Sequence, residues 1–206
     1  MGILTGAMTV ARFTVETDDG KPAELGPIWK EQLRDRLSAY AFREPPRSAG
    51  KEEVTGWCSA WDLLDSDFTD INKWSFSQYV VLAMRTSVKR LPMRDLKATV
   101  QKRCADWASE RGVERCPSSV KKEIRELLET EWLARTIPSS STVEVLWDTE
   151  SGVVSVGTSS AKALDKVRSY FRRTTGFSLV PESPLTWAPD HADALLTSSP
   201  ISLEAA

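Results

Sequence analysis

Residues 142–173 read TVEVLWDTESGVVSVGTSSAKALDKVRSYFRR, a segment that joins an alternating apolar pattern to a helical one. Apolar side chains occupy every second position from Val143 to Trp147, and the valine-rich run Val153–Val156 follows after a polar linker. Alternation of this kind is typical of half-buried β-strands, and short polar linkers between such strands form turns. The segment therefore predicts a β-hairpin.

A helix is predicted directly after this hairpin. The hydroxyl residues at 158–160 can accept hydrogen bonds from first-turn N–H groups, and Leu164, Val167 and Phe171 recur at helical spacing. Such an apolar stripe packs against a neighbouring element, and we expect it to pack back on the hairpin. The other faces of the helix carry five basic side chains and a single acidic residue, Asp165.

The same reasoning along the whole chain predicts an α+β fold. Strands are expected at residues 8–15, 56–61, 74–88 and 177–180, and helices between Pro27 and Pro45, Pro92 and Gly112, and Pro117 and Pro138. The resulting order, β-α-β-β, two helices, then β-β-α-β, suggests two similar α+β halves separated by a helical insertion. We therefore divide the chain into a first half (1–91), a basic helical insertion (92–138), a second half (139–181) and a flexible tail (182–206).

Composition is that of an ordinary soluble protein. Of the 206 residues, 41% are hydrophobic and 27% are charged. No run approaches the roughly 18 apolar residues of a membrane span, and the N-terminus shows neither a secretory pattern nor a myristoylation signal. We expect a cytoplasmic protein without a membrane partner.

Few residues suggest catalysis or a cofactor. His191 is the only histidine and lies in the tail, so a nucleophilic triad would need a residue from a segment without an anchoring pattern. The chain has no Walker loop and no Gly-x-Gly-x-x-Gly motif, and its three cysteines lack a Cys-x-x-Cys spacing. We expect reduced structural thiols, no cofactor, no metal and no enzymatic activity.

An acidic run has two interpretations. Its aspartates, at positions 62, 65, 67 and 70, could hold a divalent metal for phosphodiester cleavage. Their spacing lacks the glycine and the terminal glutamate of a calcium loop, so a solvated acidic loop is favoured. The eight tryptophans are expected mainly in the core or at an interface rather than as base-stacking platforms.

A net charge of −2 conceals a strong segregation of charge along the chain. Residues 85–125 hold twelve basic and five acidic side chains, and residues 161–173 hold five basic and one acidic. These two segments thus have net charges of +7 and +4 in a chain that is otherwise acidic. Uneven charge of this kind permits a polyanionic partner even when the total is near zero.

The strongest candidate site is the basic helical segment from Arg85 to Arg125, and within it the start of the third predicted helix could bind phosphate. Lys121 and Lys122 lie in its first turns, where positive charge opposes the helix dipole by ~0.3–1 kcal/mol per residue. With hydroxyl caps at Ser118 and Ser119, this helix end could bind phosphate. The alternative is a solvated face with i, i+4 ion pairs such as Lys122–Glu126 and Arg125–Glu129.

Several segments, in order between residues 7 and 184, resemble the bacterial recombination-associated protein RdgC family. They are Met8-Thr9-Val10-Ala11-Arg12-Phe13, Gly56-Trp57, the apolar strand at 80–84, the link from Arg85 to Pro92, residues 121–135, the run Trp147-Asp148-Thr149-Glu150-Ser151-Gly152, Ser159-Ser160-Ala161-Lys162 and Gly176. The chain departs from the family at Ser87, where an acidic residue is usual, and in its aspartate-rich loop. Family members also usually continue through a further C-terminal third.

The resemblance implies a ring-shaped homodimer that binds DNA without sequence preference through a positively charged central hole. It also implies a nucleoid location, a role in restraining RecA-type strand exchange, and no established catalytic site. A shortened relative could instead clamp DNA from one side as a simpler dimer, and either double-stranded or single-stranded DNA is a possible ligand. The candidate DNA-contacting side chains are Arg85, Lys89, Arg90, Arg94, Lys97, Lys102, Arg103, Lys121, Lys122, Arg125, Lys162, Lys166, Arg172 and Arg173.

A different class of function stays open. A phage or mobile-element protein could inhibit a host recombination or defence complex through the acidic, tryptophan-rich first half of the chain, with no DNA affinity of its own. A nuclease is the third possibility.

Overall fold

The computed structural model describes residues 9–45, 50 and 52–182. Its elements are, in chain order, β1 (Ala11–Glu16), α1 (Trp29–Ala39), β2 (Val54–Cys58), a 3-10 turn (Ile71–Lys73), β3 (Ser75–Phe76), β4 (Tyr79–Val88), α2 (Met93–Glu110), α3 (Ser118–Arg135), β5 (Ser139–Asp148), β6 (Val153–Val156), α4 (Ala161–Thr175) and β7 (Ser178–Pro181). This mixture of helices and antiparallel strands confirms the predicted α+β class. The predicted tail beyond Glu182, with His191, lies outside the described residues.

The seven strands belong to one antiparallel sheet. Its order is β2-β4-β5-β6-β1-β7, and β3 pairs with β4 on the side of β2. Strand β1, from the first predicted half, lies between β6 and β7 of the second half. The two predicted halves therefore share a sheet, and the similarity between them stays a prediction.

The hairpin and helix predicted within residues 142–173 are confirmed. Strands β5 and β6 pair with Val145 opposite Val156 and Trp147 opposite Val154. Helix α4 then begins after Ser160 and ends at Gly176, whose φ of +82° suits a left-handed helix cap. The Ser160 side chain makes no capping hydrogen bond, so the expected hydroxyl cap at this position is not formed.

One predicted strand, at residues 74–88, is wrong at its N-terminal end. Ser75 and Phe76 form β3, which turns back to pair with Val80 and Tyr79 of β4. Ser77, between them, has a φ of +54°, a left-handed conformation that reverses the chain direction. Its turn carries no glycine or proline, so the apolar pattern alone does not reveal it.

Helices α1 and α4 cover one face of the sheet and form the main core with it. Val167 and Phe171 of α4 and Leu33 and Leu37 of α1 are buried in the same cluster as the inward-facing side chains of the strands, which include Trp57, Leu82, Met84, Val145, Trp147, Val154 and Val156. Full burial of such a side chain contributes roughly 1.5–3 kcal/mol to stability. The apolar face of α4 therefore packs on the hairpin that precedes it, as predicted.

Two polar contacts fix α4 against the edge strand β2. The indole N–H of Trp57 donates to the Thr174 hydroxyl at 2.8 Å inside the core. The Tyr170 hydroxyl is shared between the carbonyls of Tyr40 and Thr55, at 3.0 and 3.1 Å. Because these groups are buried or partly buried, breaking either contact would leave a polar atom without a partner.

Helices α2 and α3 form a helical hairpin, residues 93–135, with a small core of its own. Leu91, Leu96, Val100 and Leu128 are buried there, and Trp132 packs against them. The hairpin connects β4 to β5, whose last register pair is Val88 with Ser139. Among the described residues, no helix is both long enough and apolar enough to cross a membrane.

Gly56 offers a test of how closely the chain packs beside β2. A methyl group at this position would lie 2.9 Å from the carbonyl carbon of Ala41 and would overlap the backbone of Phe42. Because backbone cannot move aside as a flexible side chain does, we expect Gly56→Ala to destabilise the protein by about 1–3 kcal/mol. Urea unfolding measures this change. Gly26→Ala is the matched control, since a methyl group there meets nothing within 4 Å; equal stability of the two variants would contradict the packing described.

Candidate nucleic-acid interface

Side chains from α2 and α3 surround a cleft that contains several of the predicted DNA-contacting residues. This hairpin cleft is lined by Lys97 and Gln101 of α2 and by Lys121 and Arg125 of α3. Its volume is about 330 Å³, and its apolar floor includes Leu96 and Val100. All four polar side chains belong to exposed residues. The structure therefore brings together cations that the sequence places on two different helices.

Ion pairs engage some of the cations on the same hairpin. Lys122 lies 3.8 Å from Glu126, and the Arg125 guanidinium lies 2.8 Å from Glu129, which confirms the predicted i, i+4 pairs. Arg103 lies 3.7 Å from Glu131. Exposed pairs of this kind contribute only ~0.3–0.5 kcal/mol, so a phosphate could displace them at low cost.

The predicted hydroxyl caps of α3 are wrong. Pro117 is the capping residue, and no side chain accepts a capping hydrogen bond there. Ser118 and Ser119 fall inside the first turn, because the first helical hydrogen bond runs from the Lys121 N–H to the Pro117 carbonyl at 3.0 Å. Proline suits this position because its fixed φ is compatible with a helix start.

Lys89, one of the predicted DNA contacts, is buried. It is only 5% exposed, and its ammonium donates to the Leu133 carbonyl near the end of α3 at 3.0 Å. Lys89 therefore connects the end of β4 to the helical hairpin, and this burial argues against its predicted role as a DNA contact.

Arg85, another predicted DNA contact, is also largely enclosed by other residues. Its side chain is 12% exposed and lies 3.2 Å from the Glu44 carboxylate. It donates to the Leu63 carbonyl at 3.2 Å, and its guanidinium stacks 4.3 Å above the Phe42 ring. These partners hold Arg85 on the sheet face opposite α1 and α4, and its role as a DNA contact stays a prediction.

A second concave surface lies where β4 ends and α4 begins. This sheet-end groove, of about 370 Å³, is lined by Arg90, by Lys162 and Lys166 of α4, and by Ser139 and Ser141 of β5. Lys166 donates to the Glu53 carboxylate. The groove thus combines residues from both basic segments, which are separated by about seventy positions in the sequence.

The remaining predicted contacts are spread over the surface. Arg94 and Lys102 are exposed on α2. On α4, Arg172 forms an ion pair with Asp18 at 2.9 Å, and the Arg173 guanidinium lies 6.0 Å from the centre of the Tyr40 ring. None of these four lines the hairpin cleft or the sheet-end groove.

The acidic loop is organised by its own backbone. Asp62, Asp65, Asp67 and Asp70 each accept a hydrogen bond from the N–H group two residues later, at 2.9–3.0 Å. The Asp67 N–H and the Lys73 ammonium hold the pKa of the Asp65 carboxyl below its ordinary value. The contacts of Asp65 therefore persist at neutral pH and weaken as the pH falls through the acidic range. Within the described ranges, no group of three or more His, Cys, Asp or Glu side chains is placed to hold a metal ion.

Sequence reasoning missed the hydroxyl lining of the sheet-end groove. The run after Pro138 predicts a loop that closes α3, yet Ser139 and Ser141 belong to the start of β5. Their pairing with Val88 and Thr86 places them beside the basic groups. A serine-rich run after a proline is typical of a loop, so the sequence holds no signal for this role.

One comparison with known proteins identifies a family. The model of the family described as "Putative exonuclease, RdgC" matches residues 23–195 of the 206-residue chain. No curated protein matches the chain.

Substitution of Lys89 tests whether this lysine is structural. Lys89→Met should lower the free energy of unfolding by roughly 1.5–3 kcal/mol, because it removes a hydrogen bond from a charged donor. It should leave the salt dependence of any DNA binding unchanged. Chemical denaturation and binding titrations measure the two effects, and Lys102→Met, at an exposed position of α2, is the control for stability. Unchanged stability combined with a weaker salt dependence would restore Lys89 as a DNA contact.

Proposed function

This chain belongs to the RdgC family, and we propose that it binds DNA without sequence preference and acts in homologous recombination. The observation that carries the proposal is the convergence of basic side chains at two concave surfaces. Lys97, Lys121 and Arg125 surround the hairpin cleft, and Arg90 and Lys162 line the sheet-end groove.

Exposed cations outside ion pairs support the proposal further. Arg90, Arg94, Lys97, Lys102, Lys121 and Lys162 are exposed and form no ion pair with another described residue. Folding alone does not require these six side chains, which lie on the helical hairpin, in the link that precedes it and at the start of α4, because each adds like-charge repulsion. Phosphate groups would relieve that repulsion and release counterions, which is the main source of non-specific DNA affinity.

Sequence independence is expected where these side chains contact phosphate groups and not base edges. Lys and Arg contacts to phosphate position a protein on DNA but carry no base information. Helices that read bases place several polar side chains against base edges in the major groove. In the hairpin cleft, the floor between the cations is apolar and includes Leu96 and Val100.

We further propose a homodimeric clamp that restrains RecA-type strand exchange by occupying DNA, with no catalytic step. These finer features rest on family membership. Sedimentation of the full chain tests the dimer. Cleaved DNA after incubation with Mg²⁺ would overturn the non-enzymatic part of the proposal.

Reversing charge in the hairpin cleft tests the DNA-binding function. Lys97→Glu/Lys121→Glu should weaken binding to DNA of every sequence alike, because each substitution removes a cation that faces phosphate and adds repulsion. The slope of log affinity against log salt is negative. Its magnitude should decrease by roughly 0.9 for each duplex phosphate that the variant no longer neutralises. Fluorescence anisotropy with unrelated labelled duplexes and single strands measures both quantities.

Lys21→Glu serves as the control, since Lys21 is exposed in the turn after β1 and outside both concave surfaces. It should bind DNA as the unmodified protein does. An equal loss of affinity in the control and in the cleft variant would assign the effect to net charge and remove the cleft from the proposal.

A second candidate function, inhibition of a host protein complex, is favoured by an exposed apolar surface. Trp61 is 59% exposed and Leu64 is 78% exposed. The Trp61 ring packs edge to face against Phe76, with 6.0 Å between ring centres, and Phe76 pairs with the exposed Tyr79. Exposed patches of this kind often mark protein-interaction sites.

A strand-exchange assay with a purified RecA-type recombinase separates the two candidates. Under the DNA-binding proposal, Lys97→Glu/Lys121→Glu no longer inhibits strand exchange. Trp61→Ser/Leu64→Ser still inhibits strand exchange, because these two exposed side chains contact no DNA. The reverse outcome would replace DNA binding by protein interaction as the function. Thermal melting of both variants checks that each is folded.

A further inference from the structure

The sheet-end groove differs from the hairpin cleft in the chemistry of its walls. Hydroxyl side chains from both central strands line it, among them Thr86 of β4 and Ser139 and Ser141 of β5. The described residues that line the hairpin cleft include no hydroxyl group. Hydroxyls beside cations are suited to an anion with several acceptor oxygens, because each O–H can donate one hydrogen bond.

Charges around the groove are unbalanced. Its charged lining residues among those described are Arg90, Lys162, Lys166 and Glu53, which amount to three cations and one carboxylate. Lys166 and Glu53 are bonded to each other. Arg90 and Lys162 have no ion-pair partner within the described part of the chain. The groove therefore presents two positive charges that no described carboxylate neutralises.

We propose that the sheet-end groove binds the terminal phosphate monoester of a nucleic-acid strand. The proposal rests on the DNA-binding function proposed above and names the ligand of one part of that surface. A phosphate monoester carries about −1.5 to −2 charges at pH 7 and three strong acceptor oxygens. The excess of two cations matches the charge of a monoester better than the single charge of a backbone diester.

The size and rigidity of the groove fit this ligand. A volume of 370 Å³ lies near the lower end of the range of about 300–1,000 Å³ that small-molecule sites occupy. Thr86 and Ser141 are direct partners in the β4–β5 register, so the sheet holds their backbones side by side, and the Thr86 hydroxyl lies 3.3 Å from the Thr55 hydroxyl of β2. Lys162 lies in the first turn of α4, where no capping side chain accepts from the N–H groups and the helix dipole also favours an anion.

A binding comparison of strand ends tests the proposal. The full chain is titrated with a labelled single-stranded oligonucleotide that has either a terminal phosphate or a terminal hydroxyl at the 5′ end, and with the same pair at the 3′ end. We expect about tenfold tighter binding of a phosphorylated end at pH 7.5, in keeping with an added charge-assisted contact. The preference should shrink at pH 5.5, because a phosphate monoester loses its second negative charge below its second pKa of ~6.

Substitutions in the groove test whether its residues cause the preference for phosphorylated strand ends. Arg90→Gln/Lys162→Gln should bind both ends with equal affinity. Because Arg90 and Lys162 also belong to the proposed DNA-binding surface, affinity for the hydroxyl-ended strand should fall as well, and the measured quantity is the ratio of the two affinities, which should drop from about tenfold to one. Glu53→Gln should increase the preference, because it frees the Lys166 ammonium. Lys21→Gln is the matched control and should behave as the unmodified protein. A free mononucleotide and inorganic phosphate, used as competitors, show whether the strand contributes beyond the phosphate group.

Two outcomes would overturn this assignment while leaving DNA binding in place. One is equal affinity of the unmodified protein for phosphorylated and hydroxyl ends. The other is an undiminished preference in the folded Arg90→Gln/Lys162→Gln variant. Absence of binding to every oligonucleotide at low salt would instead overturn the proposed function itself.

Discussion

Antiparallel pairing between β4 and β5 is the interaction on which the rest of the molecule depends. Ten register pairs, from Tyr79 with Asp148 to Val88 with Ser139, join strands that are separated in sequence by the entire helical hairpin. The last pair holds the two ends of that hairpin side by side. Because loop-closure cost grows slowly with length, a long insertion between paired strands costs little once the ladder has formed.

The same ladder explains why the two basic segments meet. Strand β4 runs toward the end of the sheet from which the hairpin emerges, and β6, antiparallel to β5, runs in the same direction before α4 begins. The start of α4 and the base of the hairpin therefore lie at one end of the sheet, where Arg90, Lys162 and Lys166 share a groove. Charge that is segregated along the chain becomes charge concentrated in space, which favours a polyanionic ligand.

Cations in this region have two separate roles. Lys89 and Arg90 are neighbours, yet Lys89 is buried against α3 while Arg90 is exposed in the groove. Arg85 is enclosed by Phe42, Glu44 and the Leu63 carbonyl. Lys89 connects the end of β4 to the helical hairpin, whereas Arg85 connects β4 to residues 42–63, and each of the two cations has the hydrogen-bonded partners that a charged group needs inside a protein. The exposed cations remain available to phosphate.

Local pattern in the sequence determined the α+β class, the hairpin at β5 and β6, helix α4 and its buried stripe, and the two basic segments. These features depend on periodicity and composition over short distances, which a single sequence displays directly. The turn at Ser77 was missed because it carries no glycine or proline, and the hydroxyl lining at Ser139 and Ser141 was missed because the strand that includes them is defined by its partner. Only the tertiary structure decided which cations are buried, which are paired and which converge, because burial and pairing arise from contacts between residues far apart in the chain.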